Sequence, residues 1–136
     1  MMKKLLRLLG LPLLAACTQP APEVAPTGPL VQGEIVRHQI TFDQYNQNPR
    51  PRWIIALDPP RTFAGTTGQA YAQIKVFGLA DTVRFRAGTR LAFRYQEVPV
   101  AQQTPWLTPY ERYAVPAFPP GYTANPELVL SDVSQL

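Results

Sequence analysis

From Leu30 onward, apolar and polar residues alternate with a period of two, the signature of half-buried strands. Val36, His38, Ile40 and Phe42 share one face of the first such segment, and Arg37, Gln39 and Thr41 share the other. Val31, Gly33 and Ile35 have the opposite parity, so the spacing predicts a β-bulge or bend near residues 33–35. Residues 43–52 are rich in Asn and Pro and read as a loop. Residues 53–57 form a continuous apolar run, ended by Asp58-Pro59-Pro60. Gly65-Thr66-Thr67-Gly68 reads as a turn. Residues 70–77 alternate again, with Ala72, Ile74 and Val76 on one face and Tyr71, Gln73 and Lys75 on the other. Residues 82–86 and 90–98 read as strands on either side of a turn at Ala87-Gly88-Thr89, and residues 128–133 as a last strand. Five or six short strands separated by turn signals predict an all-β domain: a small barrel, with a β-sandwich as the alternative.

The strand order resembles that of small OB-fold-like bacterial lipoproteins. The resemblance covers residues 30–133 and rests on the long bent first strand, the hairpin Phe85-Arg86-Ala87-Gly88-Thr89-Arg90-Leu91-Ala92-Phe93, and the closing Leu-Val-Leu-Ser-Asp-Val. It implies an OB-like barrel. OB barrels place a helix between their third and fourth strands; here residues 78–81 are too few for one.

The first residues break the alternating pattern. Residues 1–16 read as a secretory signal peptide, with Lys3, Lys4 and Arg7 as its charged part and residues 8–16 as an apolar stretch too short to span a bilayer. The sole cysteine follows. Leu14-Ala15-Ala16-Cys17 resembles the lipobox of bacterial lipoproteins. That family implies cleavage before Cys17, a diacylglyceryl group on its thiol, and a further acyl chain such as palmitate on the new amino group. Two or more chains are needed for stable anchoring. Thr18 rather than Asp after the cysteine implies, by the same resemblance, the outer membrane facing the periplasm in a two-membraned cell. Residues 17–29 then form a Pro-rich linker of polyproline II character, and residues 30–136 the β domain.

Cleavage changes the charge reading. The whole chain of 136 residues has 13 basic and 9 acidic residues, a formal net charge of +4. Three of the basic residues leave with the signal, so the remainder stands at about +1, which gives no support for nucleic-acid binding. One cysteine excludes an internal disulfide, and one histidine with it makes a zinc site unexpected. No glycine-rich phosphate loop is present, and no cofactor is implied.

Two features are candidates for binding. Residues 99–127 hold 7 of the 16 prolines with Trp106, Tyr110, Tyr113, Phe118 and Tyr122, and form a Pro/aromatic-rich loop before the last strand. Within it, Thr108-Pro109-Tyr110-Glu111 predicts a helix start with Thr108 as N-cap and Glu111 reaching back, ended by Pro116. Trp106, Tyr110 and Tyr113 suit an aromatic contact surface for a glycan or partner protein, or else complete the core. Arg84, Arg86, Arg90 and Arg94 share one parity, so a hairpin would bring them to one face; Arg84, Arg86 and Arg94 are the candidate anion contacts. His38 sits on an apolar face with no nucleophile or orienting group in view. The expectation is a lipid-anchored, non-catalytic binding or assembly module of the envelope. Its alternatives are a glycan- or anion-binding module and, less favoured, an envelope-polymer hydrolase.

Overall fold

The computed structural model describes residues 28–64, 68–114 and 125–136. Residues 1–27, with the expected signal segment, Cys17 and all of the expected linker but Gly28 and Pro29, lie outside the described residues, as do residues 65–67 of the expected turn and Pro116, Phe118 and Tyr122.

The fold is all-β. Five strands, β1 (Val31–Thr41), β2 (Arg50–Thr62), β3 (Ala70–Val76), β4 (Arg90–Glu97) and β5 (Leu128–Gln135), form one sheet in the order β3-β2-β1-β4-β5. All four neighbouring pairs are antiparallel. The sheet curls until its outer strands approach each other but does not close. Lys75 of β3 and Glu127, just before β5, meet in a single parallel bridge, with Lys75 N–H donating to Pro126 O at 3.0 Å. This order, with a parallel contact where the ends meet, is that of a partly open OB-like barrel.

The expected parity switch in β1 is a bulge between Ile35 and Arg37. It lets one strand serve two neighbours: residues 31–34 pair with β4, and residues 37–41 pair with β2 alone. Gly33 lies where β1 crosses β2. A Cβ there would sit 2.7 Å from Ile55 Cγ2 and 2.9 Å from Ala56 O, so only glycine allows the approach.

Two elements differ from the sequence reading. β2 begins at Arg50, inside the expected loop, and does not stop at Asp58-Pro59-Pro60; it continues to Thr62 through a register shift between Ala56 and Arg61. Prolines are tolerated at such an irregularity because no ladder bond needs their missing N–H. Residues 82–86 are turns, not a strand. Asp81 Oδ1 accepts the N–H groups of Val83 and Arg84, and Asp81 O accepts Phe85 N–H at 3.0 Å. These local bonds compete with a ladder and win. The turn drops Phe85 into the core, where its carbonyl accepts Trp53 Nε1–H at 2.8 Å. It thus plugs the end of the barrel between β3 and β4, where OB barrels carry a helix.

The core lies on the concave side of the sheet. Ile35, Trp53, Ile55, Ile74, Val76, Leu91, Phe93 and Leu128 are buried there, with Phe63, Leu79 and Phe85 at the ends. Ile54 points to the opposite face and is buried as well, so that side of β2 is also covered.

Candidate functional site

The covering element is a strap, residues 104–114, ending in helix α1 (Pro109–Ala114). Its sequence folds as the capping pattern requires. Glu111 N–H donates to Thr108 Oγ1 at 3.2 Å, and Thr108 N–H and hydroxyl donate to Glu111 Oε2 at 2.8 and 3.0 Å.

Three contacts tie the strap to the sheet. Leu107 and Phe42 exchange backbone hydrogen bonds, at 2.8 and 3.1 Å. Arg52 Nη2 of β2 donates to Glu111 Oε1 at 2.9 Å and to Gln39 Oε1 at 2.7 Å. Arg112 reaches across to the carbonyls of Phe42, Asp43 and Gln44. The loop it grips is held by Asp43, whose carboxylate accepts from Tyr45 N, Gln47 N and Asn48 Nδ2. The Gln47 N–H, the Asn48 amide, the Tyr45 N–H and Arg112 hold that carboxyl below its ordinary value.

The sequence-predicted aromatic residues divide. Trp106 is half-buried, and its Nε1–H donates to Asn48 O at 2.8 Å, so it fastens the strap to the loop. Tyr110 and Tyr113, three residues apart on α1, are 73% and 74% exposed. Tyr45, on the loop that Arg112 holds against α1, is 73% exposed too. The strap therefore uses its tryptophan for structure and leaves its tyrosines to solvent.

The strand parity expected to bring the arginines to one face is absent, since residues 82–86 are not a strand, although Arg86 and Arg90 line one shallow depression. Arg84 and Arg86 are exposed in the turn, with the Arg84 guanidinium 5.1 Å from the Phe85 ring centroid. Arg94, on β4, is half-buried and committed: it donates to Gly28 O and lies 3.5 Å from Asp132 Oδ2. His38 is half-buried with its ring 5.2 Å from that of Trp53. Among the described residues no cluster of metal-ligating side chains occurs.

The sequence reading missed a group of charged side chains between the sheet and the strap. Arg52 is only 4% exposed, and Arg37, Lys75 and Glu111 line the same space; Glu127, also buried, lines the neighbouring cavity and acts on Lys75 through space. Burial pushes the Glu111 carboxyl up, but the Arg52 guanidinium and the Thr108 groups more than offset this and hold it below its ordinary value. Burial pushes the Lys75 ammonium down, with the Glu127 carboxylate opposing and Arg52 adding to the shift. Glu127 spends both oxygens on Thr104, accepting its N–H and hydroxyl at 2.7 Å each. A signal for this group was present: an unbroken apolar run such as residues 53–57 marks a strand covered on both faces. The polar residues alternating beside it then face an interior, not solvent.

A second cavity, of about 280 Å³, is lined by Phe63, Val98, Val100, Pro126 and Leu128, with Glu97 at its side donated to by Ala64 N–H. No family model, curated protein or solved structure matches this chain.

Proposed function

We propose that this chain is a bacterial envelope lipoprotein anchored through Cys17, whose β domain acts as a non-catalytic binding or assembly module. The lipobox-like Leu14-Ala15-Ala16-Cys17 supports the anchor. The observation that carries the binding role is the pair Tyr110 and Tyr113, about three-quarters exposed on a helix that is capped, ion-paired and bonded onto the sheet. Aromatic side chains held on a fixed support bind with little loss of conformational freedom. Trp106, the third residue of the predicted surface, holds the support in place.

The test is a photo-crosslinking side chain at position 110 in the protein expressed in its native envelope. A single adduct of defined mass, lost in Tyr113→Ser and in Cys17→Ala, is expected. A ladder of unrelated adducts, or none, overturns the binding role. Absence of a lipid mass on the peptide that begins at Cys17 overturns the anchor. Hydrolysis of envelope polymer by the purified protein overturns the non-catalytic reading.

A further inference from the structure

The space between β1, β2, β3 and the strap is a cavity of about 80 Å³ lined by Arg37, Arg52, Ile54, Lys75, Leu107, Glu111 and Asn125. It exceeds the roughly 30 Å³ that one water occupies. Its hydrogen-bonding capacity is unbalanced. Glu111 gives Oε1 to Arg52 and Oε2 to Thr108, and Glu127 gives both oxygens to Thr104. Arg52 Nε is buried without a partner, although both of its Nη2 bonds are made. The Lys75 ammonium is half-buried and feels Glu127 and Glu111 through space. Three cations (Arg37, Arg52, Lys75) thus line the cavity with one carboxylate, Glu111, while Glu127 lies outside the lining and acts on Lys75 through space. Buried donors and a surplus positive charge are costly until an anion with free acceptor oxygens completes them.

We propose that this cavity is a binding site for one carboxylate group, from an acidic sugar or a peptide terminus, held by Lys75 and Arg52 with Arg37 at the exposed rim. The two oxygens of a carboxylate match one guanidinium N–H and one ammonium, and its charge offsets part of the cationic surplus. The site is separate from the exposed tyrosines and independent of the lipid anchor.

Nuclear magnetic resonance of the purified full chain tests it. D-glucuronate and N-acetylalanine are the probes, titrated at constant ionic strength against sodium chloride. A saturable shift at the amides of Arg37, Arg52 and Lys75, at millimolar concentration, is expected with at least one probe. Preference for glucuronate identifies the sugar source, and preference for N-acetylalanine the peptide source. Binding should also raise the pH at which Lys75 titrates. Lys75→Gln should weaken binding by about tenfold or more, the loss of one charge-assisted hydrogen bond. Arg37→Gln, at the exposed rim and outside the fold's buried bonds, should weaken it by a smaller factor. Shifts that chloride or phosphate reproduces equally would mean an adventitious anion only and would overturn the proposal. So would no saturable shift, or unchanged binding in Arg37→Gln and a folded Lys75→Gln. None of these results bears on cross-linking through position 110, so the two readings fail separately.

Discussion

At the scale of single residues, the Arg52–Glu111 pair carries the strap. Arg52 is 4% exposed, so removing its partner leaves a guanidinium that water cannot solvate. Glu111→Gln keeps the helix cap, since glutamine also serves in the capping box. It removes the charge and, with the amide oxygen kept on Thr108, replaces the acceptor of Arg52 by an NH2 group; because Glu111 keeps partial contact with solvent this should cost about 2–3 kcal/mol, less than breaking a fully buried pair. Urea denaturation measures this directly. The pH dependence follows from the direction of the Glu111 shift. Its carboxyl is held below the ordinary value in the fold, so the fold gains stability from it above the unfolded value, and loses that gain as pH falls through the lowered one. The gap between wild type and Glu111→Gln should therefore narrow in acid; a gap that persists at low pH would show that the ion pair is not its source. Gly33 is the second decisive residue. Gly33→Ala puts a methyl 2.9 Å from the Ala56 carbonyl, which cannot move without shifting β2, and should cost about 1–3 kcal/mol.

At the scale of elements, the legible parts were those whose signals are local. The bulge in β1, the alternation of β3, β4 and the Thr108–Glu111 cap each depend on neighbouring residues, and each forms where its pattern lies. The cap gives a further prediction. Thr108→Ala removes the hydroxyl that accepts Glu111 N–H and should cost about 1 kcal/mol. Hydrogen exchange at Glu111 and Arg112 should quicken while the Trp53 region stays protected; uniform quickening would mean that the cap supports the whole barrel. The illegible parts were those decided by distant partners. Val83 and Phe85 alternate as a strand would, yet Asp81 captures the Val83 and Arg84 amides, and Trp53, far away in sequence, fixes the Phe85 carbonyl. The argument for an arginine face loses its premise for that reason: without a strand at residues 82–86, parity no longer aligns Arg84 and Arg86 with Arg94. The charged group beneath the strap was hidden because the partners of Arg52 and Lys75 come from residues 111 and 127, and periodicity says nothing of what covers a face.

At the scale of the whole molecule, barrel and strap are joined at both ends of the sheet, and this decides how they unfold. Leu107 bonds to Phe42 at the end of β1, and Glu127 links Thr104 to the point where β3 nears β5. Loosening the strap opens the bridge that brings the sheet's edges together, so the two should unfold as one cooperative unit. The two tryptophans make this measurable. Trp53 is fully buried in the core, and Trp106 is half-buried in the strap. Trp106→Phe leaves only the core reporter and Trp53→Phe only the strap reporter. Trp53→Phe also loses the bond to Phe85 O and some packing, about 1–3 kcal/mol. Each variant's fluorescence midpoint must therefore be compared with its own circular dichroism midpoint, not with the other variant. At neutral pH the two midpoints should coincide in both variants. Below the titration of Glu111 the strap loses its ion pair while the core keeps its burial. There the Trp106 signal should change at lower urea than the circular dichroism, and the Trp53 signal should not. Early loss of the Trp106 signal already at neutral pH would mean that the strap is an independent flap, and that its tyrosines are presented on a mobile support.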